Sequence, residues 1–463
     1  MRTLTVICMT LTVSLGNAHA AETPATSGKP NIIVIFTDDQ SYRGIGYNNP
    51  EVKTPRLDAL AASGITFERA YVASPICAAS RASMMTGRFP EQHGVRALDS
   101  KAFAPYLTGA PHANQTLPSR LNEAGYTTTL LGKSHLGKPQ TYGFAAGDEI
   151  GGYDDVEIFK RATEFIKSRK HADKPFFLWL APRQPHVPLK PEQQWLDLYP
   201  PGSIHLGKNF LTEPNRDSLN NQGLPGQTFY RDSDYRNNMD QLPSGPPRDD
   251  GTMLAFTRAY FATISHLDHQ LGQFAELLRD SGLLENTIVF YMSDNGYHLG
   301  SHGLGNKITM HEESVRVPMF AFGTGIQPGQ KTRALVTELD LYPTLLELTG
   351  ATAPPQPIMG KSLRPLLKDP AAPHRDTVFC ECVGIGGKAG EGHRMARGDR
   401  WKLILSDTDE EFLFDQQEDP FELTNRIADP SLTPVLHKLR SELTGWMKLI
   451  GDRPYPDRSS RDK

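Results

Sequence analysis

Four largely apolar runs without a charged residue, each passing directly into a short polar cluster, constrain this chain more than any other feature. Residues 31–36 lead into Thr37-Asp38-Asp39-Gln40, and residues 126–131 lead into Gly132-Lys133-Ser134-His135. Residues 176–180 lead into Ala181-Pro182-Arg183-Gln184-Pro185-His186, and residues 287–292 lead into Ser293-Asp294-Asn295-Gly296. A strand with one wet face alternates apolar and polar residues, whereas a strand that is apolar throughout is covered on both faces, as in a parallel sheet. Helical patterns lie between the runs, over residues 55–63, 117–124, 156–169 and 254–279. This alternation predicts an α/β fold: a large mixed, mostly parallel sheet flanked by helices. In such sheets ligands sit beyond the carboxyl ends of the strands, where all four polar clusters fall.

The texture changes after about residue 355. Short strands are expected at 377–382, 394–397, 401–405 and 411–415, with a helix over 434–449. They predict a smaller C-terminal antiparallel sheet covered by a helix. The expected organisation is a signal peptide over 1–20, a catalytic α/β domain over 29–360 and a C-terminal subdomain over 361–463. The signal reading rests on Arg2, the apolar stretch from Leu4 to Leu15, and the small-x-small site Ala18-His19-Ala20. That apolar stretch is too short to span a bilayer, no later one is long enough, and Cys8 lacks a lipobox context. A periplasmic or secreted protein is expected. Residues 199–252 are rich in Pro, Gly, Asn and Asp. They read as a surface insertion, either solvated or bordering a substrate cleft through Tyr230, Arg231, Tyr235 and Arg236.

A net charge of −4 offers no basic field for nucleic acid, so an anionic substrate must be attracted locally. Asp38, Asp39, Asp294 and Asn295 supply only oxygen donors from two strand ends, a set suited to Ca²⁺ or Mg²⁺ rather than zinc. Taken alone, each pair also reads as a turn or helix cap. Cys380 and Cys382, two apart on an expected strand, read as two buried thiols, with a strained bridge between them as the alternative, and the cysteines are too few for a disulfide framework. Gly384–Lys388 is glycine-rich but lacks the spacing of a phosphate-binding loop.

The segment Cys77-Ala78-Ala79-Ser80-Arg81-Ala82-Ser83-Met84-Met85-Thr86-Gly87 reads as a short helix with Gly87 as its C-cap. A helix entrance concentrates unpaired N–H groups and partial positive charge, and Arg81 lies one turn on. This string resembles the signature of the type I sulfatases, Cys-x-Pro-x-Arg followed by Thr-Gly, with Ala79 in place of the usual proline. Gly132-Lys133-Ser134-His135-Leu136-Gly137 resembles the family's Gly-Lys-Trp-His-Leu-Gly block, and Pro185-His186-Val187-Pro188 is also a family block. His302–Lys307 and Glu313–Pro318 resemble sulfatases again.

The resemblance implies an alkaline phosphatase-like fold and hydrolysis of sulfate monoesters. It implies that Cys77 is converted by a maturation enzyme to formylglycine, whose hydrated aldehyde attacks sulfur. One Ca²⁺, chosen over Mg²⁺ on this resemblance, would be held by Asp38, Asp39, Asp294, Asn295 and an oxygen of the modified Cys77. Arg81, Lys133 and Lys307 are expected to spread the charge of the transferring group. His186, with Lys307, is expected to protonate the leaving oxygen, and His135 to deprotonate the hemiester. His93, His298 and His302 are candidate substrate contacts. The expected partner is a sulfated carbohydrate. Two other readings share these residues: a phosphonate or phosphodiester hydrolase, and a non-catalytic binder of sulfated ligands should Cys77 stay a thiol.

Overall fold

The computed structural model describes residues 28–98, 114–211, 250–383 and 392–456. The expected signal peptide, Tyr230, Arg231, Tyr235, Arg236 and the glycine-rich Gly384–Lys388 lie outside these residues. The four apolar runs are the adjacent strands β1 (Asn31–Thr37), β3 (Thr127–Gly132), β5 (Phe176–Ala181) and β6 (Thr287–Ser293), ordered β3-β5-β1-β6 and all parallel. Their side chains alternate between two cores. Ile32, Val34, Phe36, Phe177, Trp179, Phe290 and Met292 point to one face, where the helices Cys77–Thr86, Leu117–Glu123 and Leu341–Thr349 pack. Ile33, Ile35, Leu178, Leu180, Val289 and Tyr291 point to the other, under the helices Pro55–Ala62, Val156–Arg169 and Asp250–Asp280. Each fully buried Leu, Ile, Val or Phe contributes roughly 1.5–3 kcal/mol. Both faces must therefore be covered, and this demand produces the largely apolar runs.

The remaining strands of the nine-stranded sheet carry mixed sequences. They are β2 (Ile65–Tyr71), β4 (Ala146–Glu149), β7 (Arg316–Val317), β8 (Met319–Gly323) and β9 (Gln330–Thr337). β8 runs antiparallel to β6 and β2, and β7 antiparallel to β2, which makes the sheet mixed but mostly parallel. The C-terminal sheet is a four-stranded antiparallel meander. It comprises β10 (Val378–Cys382), β11 (His393–Arg397), β12 (Trp401–Ser406) and β13 (Glu411–Asp415). The helix Thr433–Ile450 covers it through Leu436, Leu439, Leu443 and Trp446. Cys380 and Cys382 are buried thiols that form no disulfide.

The expectation for residues 199–252 needs correction at both ends. Tyr199 is fully buried, and its hydroxyl accepts from Lys53 N–H (2.9 Å) and shares a hydrogen bond with Ser265 Oγ (2.7 Å). At the other end, residues 250–252 already belong to the long helix. Composition hid both ends: one buried tyrosine inside a Pro-Gly-rich stretch has no period to announce it. Among the described residues, no helix is long and apolar enough to cross a membrane.

Candidate active site

Sheet register assembles the polar clusters. Thr37 of β1 pairs with Ser293 of β6, so Asp38-Asp39 and Asp294-Asn295 leave adjacent strands side by side. Asp294 N–H donates to Thr37 O (3.1 Å) and Asp39 N–H to Asp294 Oδ1 (3.1 Å), fixing the two turns to each other. Gly132 of β3 pairs with Ala181 of β5, and Lys133 follows it. A Cβ at Gly132 would stand 2.1 Å from Ala181 O, with φ at +113°, so this close approach requires glycine.

The helix Cys77–Thr86 starts at the same edge and is buried along its whole length. Gly87 ends it in the left-handed region (φ 66°), as its sequence predicts. Ile76 gives no side-chain cap, so first-turn N–H groups stay unpaired beside Cys77. Cys77 Sγ lies 3.5 Å from Asp38 Oδ1, 3.7 Å from Asp39 Oδ1 and 2.7 Å from Lys307 Nζ. One turn on, Arg81 Nη2 is 2.8 Å from Asp294 Oδ2, and Nη1 donates to Lys133 O (2.8 Å). The Arg81 guanidinium lies 5.4 Å from the centre of the Phe36 ring.

Lys133 Nζ pairs with Asp38 Oδ2 at 2.5 Å, and Lys307 Nζ pairs with Asp39 Oδ1. Asp38, Asp39 and Asp294 thus face Arg81, Lys133 and Lys307, all six buried. Burial disfavours every one of these charges, and the outcome at each depends on its neighbours. For Asp38, burial is outweighed by Lys133, His186, Arg81 and Lys307, so its carboxyl stays well below the usual range. For Asp294, burial and the adjacent Asp38 prevail over Arg81 and Lys133, lifting it to about 6. Burial opposes the charge on Lys307, but Asp39 and the neighbouring acids hold its ammonium well above the ordinary value. Burial pushes the Cys77 thiol up, further than Lys133 and Lys307 pull it down.

These residues fit a hard divalent cation. Asp39 Oδ2 and Asn295 Oδ1 are buried without a hydrogen-bond partner, a costly state for two oxygen acceptors unless a cation takes their lone pairs. Asp38, Asp39, Cys77 and His186 form one of the potential ligand groups among the described residues. Strain gathers here as well. Asp39 (φ 66°), His135 (φ 60°), His302 (φ 59°), Asn306 (φ 62°) and Ile308 (φ 78°) occupy left-handed backbone, each costing about 1–3 kcal/mol.

His135 follows β3. Burial first, then Lys133 and Arg81, lowers it to about 3, which leaves a neutral ring whose Nδ1 is buried without a partner. His186 Nε2 is 3.7 Å from Asp39 Oδ2, and its side chain is 33% exposed. Burial lowers its proton affinity against the pull of Asp38 and Asp39. The other three histidines have different surroundings. His93 is buried, with Nε2 at 3.0 Å from Ser83 Oγ and Nδ1 accepting from Val95 N–H (3.2 Å). His298 Nε2 meets Thr309 Oγ1 at 2.7 Å, and His302 Nε2 lies 3.1 Å from Asn209 Nδ2. The structure sets all three among protein partners.

A second group of potential ligands, His302, His311 and Glu422, lies where the nine-stranded sheet meets the C-terminal segment. It does not converge on an ion. The two imidazoles stack with centroids 4.0 Å apart and planes 18° apart. A ring nitrogen's lone pair lies in the ring plane, and two such planes do not meet at a metal–nitrogen distance of roughly 2 Å. Glu422 is also saturated: Lys402 and Gln416 Nε2 (2.6 Å) donate to Oε1, while His311 Nδ1 (2.9 Å) and Glu312 N–H (3.1 Å) meet Oε2. Sequence reasoning missed Asn209, Glu422 and Lys402, which brace the loop carrying Lys307. No local pattern marks them, because their partners lie about 100 residues away in the chain.

Comparison with known proteins agrees with this geometry. The family profile described as Sulfatase matches residues 30–351, and that of the N-sulphoglucosamine sulphohydrolase C-terminal region matches residues 300–448. The chain belongs to the sulfatase family. It is therefore read as a sulfuric ester hydrolase. An arylsulfatase of Clostridium perfringens is 29% identical over 478 residues, covering 90% of this chain and 94% of that one. The fold matches a protein solved in complex with its substrate D-glucosamine-2-N,6-O-disulfate: TM-score 0.78, 24% identity, covering 93% of this sulfatase and 100% of that chain. It also matches a phosphonate monoester hydrolase of Silicibacter pomeroyi, with TM-score 0.76, 21% identity and coverage of 92% and 96%. Fold alone thus does not choose between sulfur and phosphorus.

Proposed function

We propose that this sulfatase hydrolyses sulfate monoesters of a carbohydrate through a formylglycine formed at Cys77 by a maturation enzyme, in the periplasm or outside the cell. The observation that carries this reading is the setting of Cys77. Burial raises the proton affinity of the unmodified thiol further than Lys133 and Lys307, the latter at 2.7 Å, lower it, which disfavours a thiolate nucleophile. A hydrated aldehyde at that position needs no such ionisation, because Asp39, 3.7 Å from Sγ, is placed to accept a hydroxyl proton. We assign the catalytic unit to residues 29–360 and the C-terminal subdomain to 361–463.

Asp38, Asp39, Asp294 and Asn295 would hold a calcium ion together with the modified residue 77. When bound, the ion supplies positive charge to the transferring sulfonyl oxygens and to the nucleophile. The chain's own groups do the rest. One hydroxyl of the hydrated aldehyde attacks sulfur and loses its proton to Asp39. Arg81, Lys133 and Lys307 stabilise the charge on the sulfonyl oxygens, an electrostatic contribution that is often the largest. His186 gives a proton to the departing oxygen, assisted by the Lys307 ammonium. An anionic ester beside the imidazole raises its proton affinity towards the working range. The residue is left as a sulfate hemiester. His135, neutral and with a free lone pair, takes the proton of the second hydroxyl; the C–O bond to sulfate breaks and the aldehyde returns.

Support for a sulfated sugar comes from the match to the N-sulphoglucosamine sulphohydrolase C-terminal profile and from the buried cluster of Arg81, Lys133 and Lys307, which suits an anionic group. The test is a rate comparison on purified, aldehyde-bearing enzyme. It covers sulfated mono- and oligosaccharides, 4-nitrophenyl sulfate, a phosphodiester and a phosphonate ester. Preference for the phosphorus esters would overturn the sulfatase assignment of the site. Activity on aryl sulfates without any sulfated sugar would overturn the carbohydrate assignment alone.

A further inference from the structure

Asp155 is a buried acid that the mechanism leaves unused, and its side chain is turned away from its local task. It occupies the N-cap of the helix Val156–Arg169, where an aspartate ordinarily accepts from first-turn N–H groups. Here it makes no cap bond, and its backbone sits in the left-handed region (φ 59°). The carboxylate reaches instead to the segment after β5. Oδ1 accepts from Arg183 N–H (2.8 Å) and Oδ2 from Gln184 N–H (2.9 Å). Those two residues open a turn that His186 N–H closes on Arg183 O (2.8 Å). Pro185 between them has no N–H, so Asp155 and Arg183 O account for every main-chain donor from residue 183 to residue 186.

We infer that Asp155 is a positioning residue for the leaving-group acid: it clamps the Arg183–His186 turn and so fixes His186 beside Asp39. The inference rests on the role proposed above for His186. Two neighbouring N–H groups are each met by a separate oxygen of one carboxylate, which no other single side chain of this size reproduces. In Asp155→Asn one of the two donors faces an NH2 group whichever way the amide is turned, so the turn is released at one end while volume is kept. Asp155 touches no group proposed to contact the reacting atoms, and its effect travels through the main chain.

The test compares mature wild-type enzyme, Asp155→Asn and His186→Ala on two substrates, 4-nitrophenyl sulfate and unsubstituted phenyl sulfate. A phenol leaving group needs a proton far more than nitrophenolate does. Losing or misplacing the acid therefore lowers kcat much more on phenyl sulfate. The expected result is a fall in the ratio kcat(phenyl)/kcat(nitrophenyl) of about tenfold in Asp155→Asn and about 10²-fold in His186→Ala. KM should stay near wild type. The ratio is taken within one preparation, so partial misfolding or incomplete maturation cancels. A ratio unchanged in Asp155→Asn but lowered in His186→Ala would make Asp155 merely structural and overturn the inference. A ratio unchanged in both would remove His186 as the acid, and the inference with it.

Discussion

Two buried, charge-dense regions of this sulfatase look alike in composition and differ in kind. At the carboxyl edge of β1 and β6, Asp38, Asp39 and Asp294 face three cations, yet Asp39 Oδ2 and Asn295 Oδ1 keep unmet lone pairs. Where the two sheets meet, Glu422 is met at both oxygens, Glu313 takes Asn209 Nδ2 (2.7 Å), and the histidines stack instead of converging. The first arrangement has acceptors waiting for a ligand. In the second the carboxylates are met, and the unmet buried atoms are an amide oxygen, Asn209 Oδ1, and an imidazole nitrogen, His298 Nδ1. An unmet carboxylate oxygen among further oxygen donors, rather than density of charge, separates a site from a brace.

The largest expected effect separates chemistry from packing at residue 77. Cys77→Ser keeps the volume and cannot become an aldehyde, so sustained turnover should fall to background. At most one product per site should be released, because a sulfated serine has no second hydroxyl with which to expel sulfate. Mass spectrometry of the peptide containing residue 77 and a product-release time course check this together. Steady turnover by Cys77→Ser with no aldehyde would end the scheme. The thermal midpoint should stay near wild type.

Chelation tests the open oxygens directly. Stripping divalent ions should lower kcat by at least about 10²-fold, the cost of losing one strong electrostatic donor. Stability should fall too, since ligand at a hundred times its Kd contributes about 2.7 kcal/mol. Calcium should restore both. The sharper half of the test lies at the other cluster: zinc added to the calcium-loaded enzyme should not raise the thermal midpoint. A zinc-dependent rise abolished by His311→Ala would show that the stacked rings part to bind metal, and the comparison would fail.

How much of this was legible beforehand follows the same division. β1, β3, β5 and β6 were readable to within a residue or so because burial on both faces leaves no charged position in them and confines their polar residues to threonines and strand ends. β2 and β9 were not: Glu68 and Arg69 are half-buried within β2, and β9 opens with exposed or half-buried polar residues. The ligand carboxylates were readable because they follow immediately on the apolar runs. Asp155 was not, since Asp154-Asp155 before a helix has the look of an ordinary cap. Glu422 and Asn209 were invisible for a related reason: buried partners on distant segments give a local sequence no reason to look unusual. His93, a candidate substrate contact by its sequence, meets Ser83 Oγ and Val95 N–H in the structure.

Lys402→Met probes the second region. Its ammonium lies 3.0 Å from Glu312 Oε1 and also pairs with Glu422, all three buried. Removing one member of such a cluster leaves uncompensated charge and costs about 3–5 kcal/mol. Urea unfolding should show that loss as a lower midpoint, whereas kcat per aldehyde-bearing site should stay within about threefold. Loss of kcat without loss of stability would move this region from brace to chemistry.

The smallest effect concerns acid. Burial raises the Glu422 carboxyl, but Lys402 and His311 prevail and hold it at about 2. An unperturbed glutamate titrates near 4.3, so the unfolded chain takes up this proton first as pH falls. The stabilisation from Glu422 is therefore complete above about pH 4.3 and is lost as pH drops towards about 2, an effect of roughly 2–3 kcal/mol. Gln cannot titrate. Glu422→Gln should be less stable than wild type at pH 7, with a shallower decline between about pH 4.5 and 2.5, so the two stability curves approach each other in acid. Every other carboxylate is common to both proteins, and the difference between the curves isolates this one. Parallel curves would mean that Glu422 carries no depressed proton affinity and that its charge adds nothing to the brace.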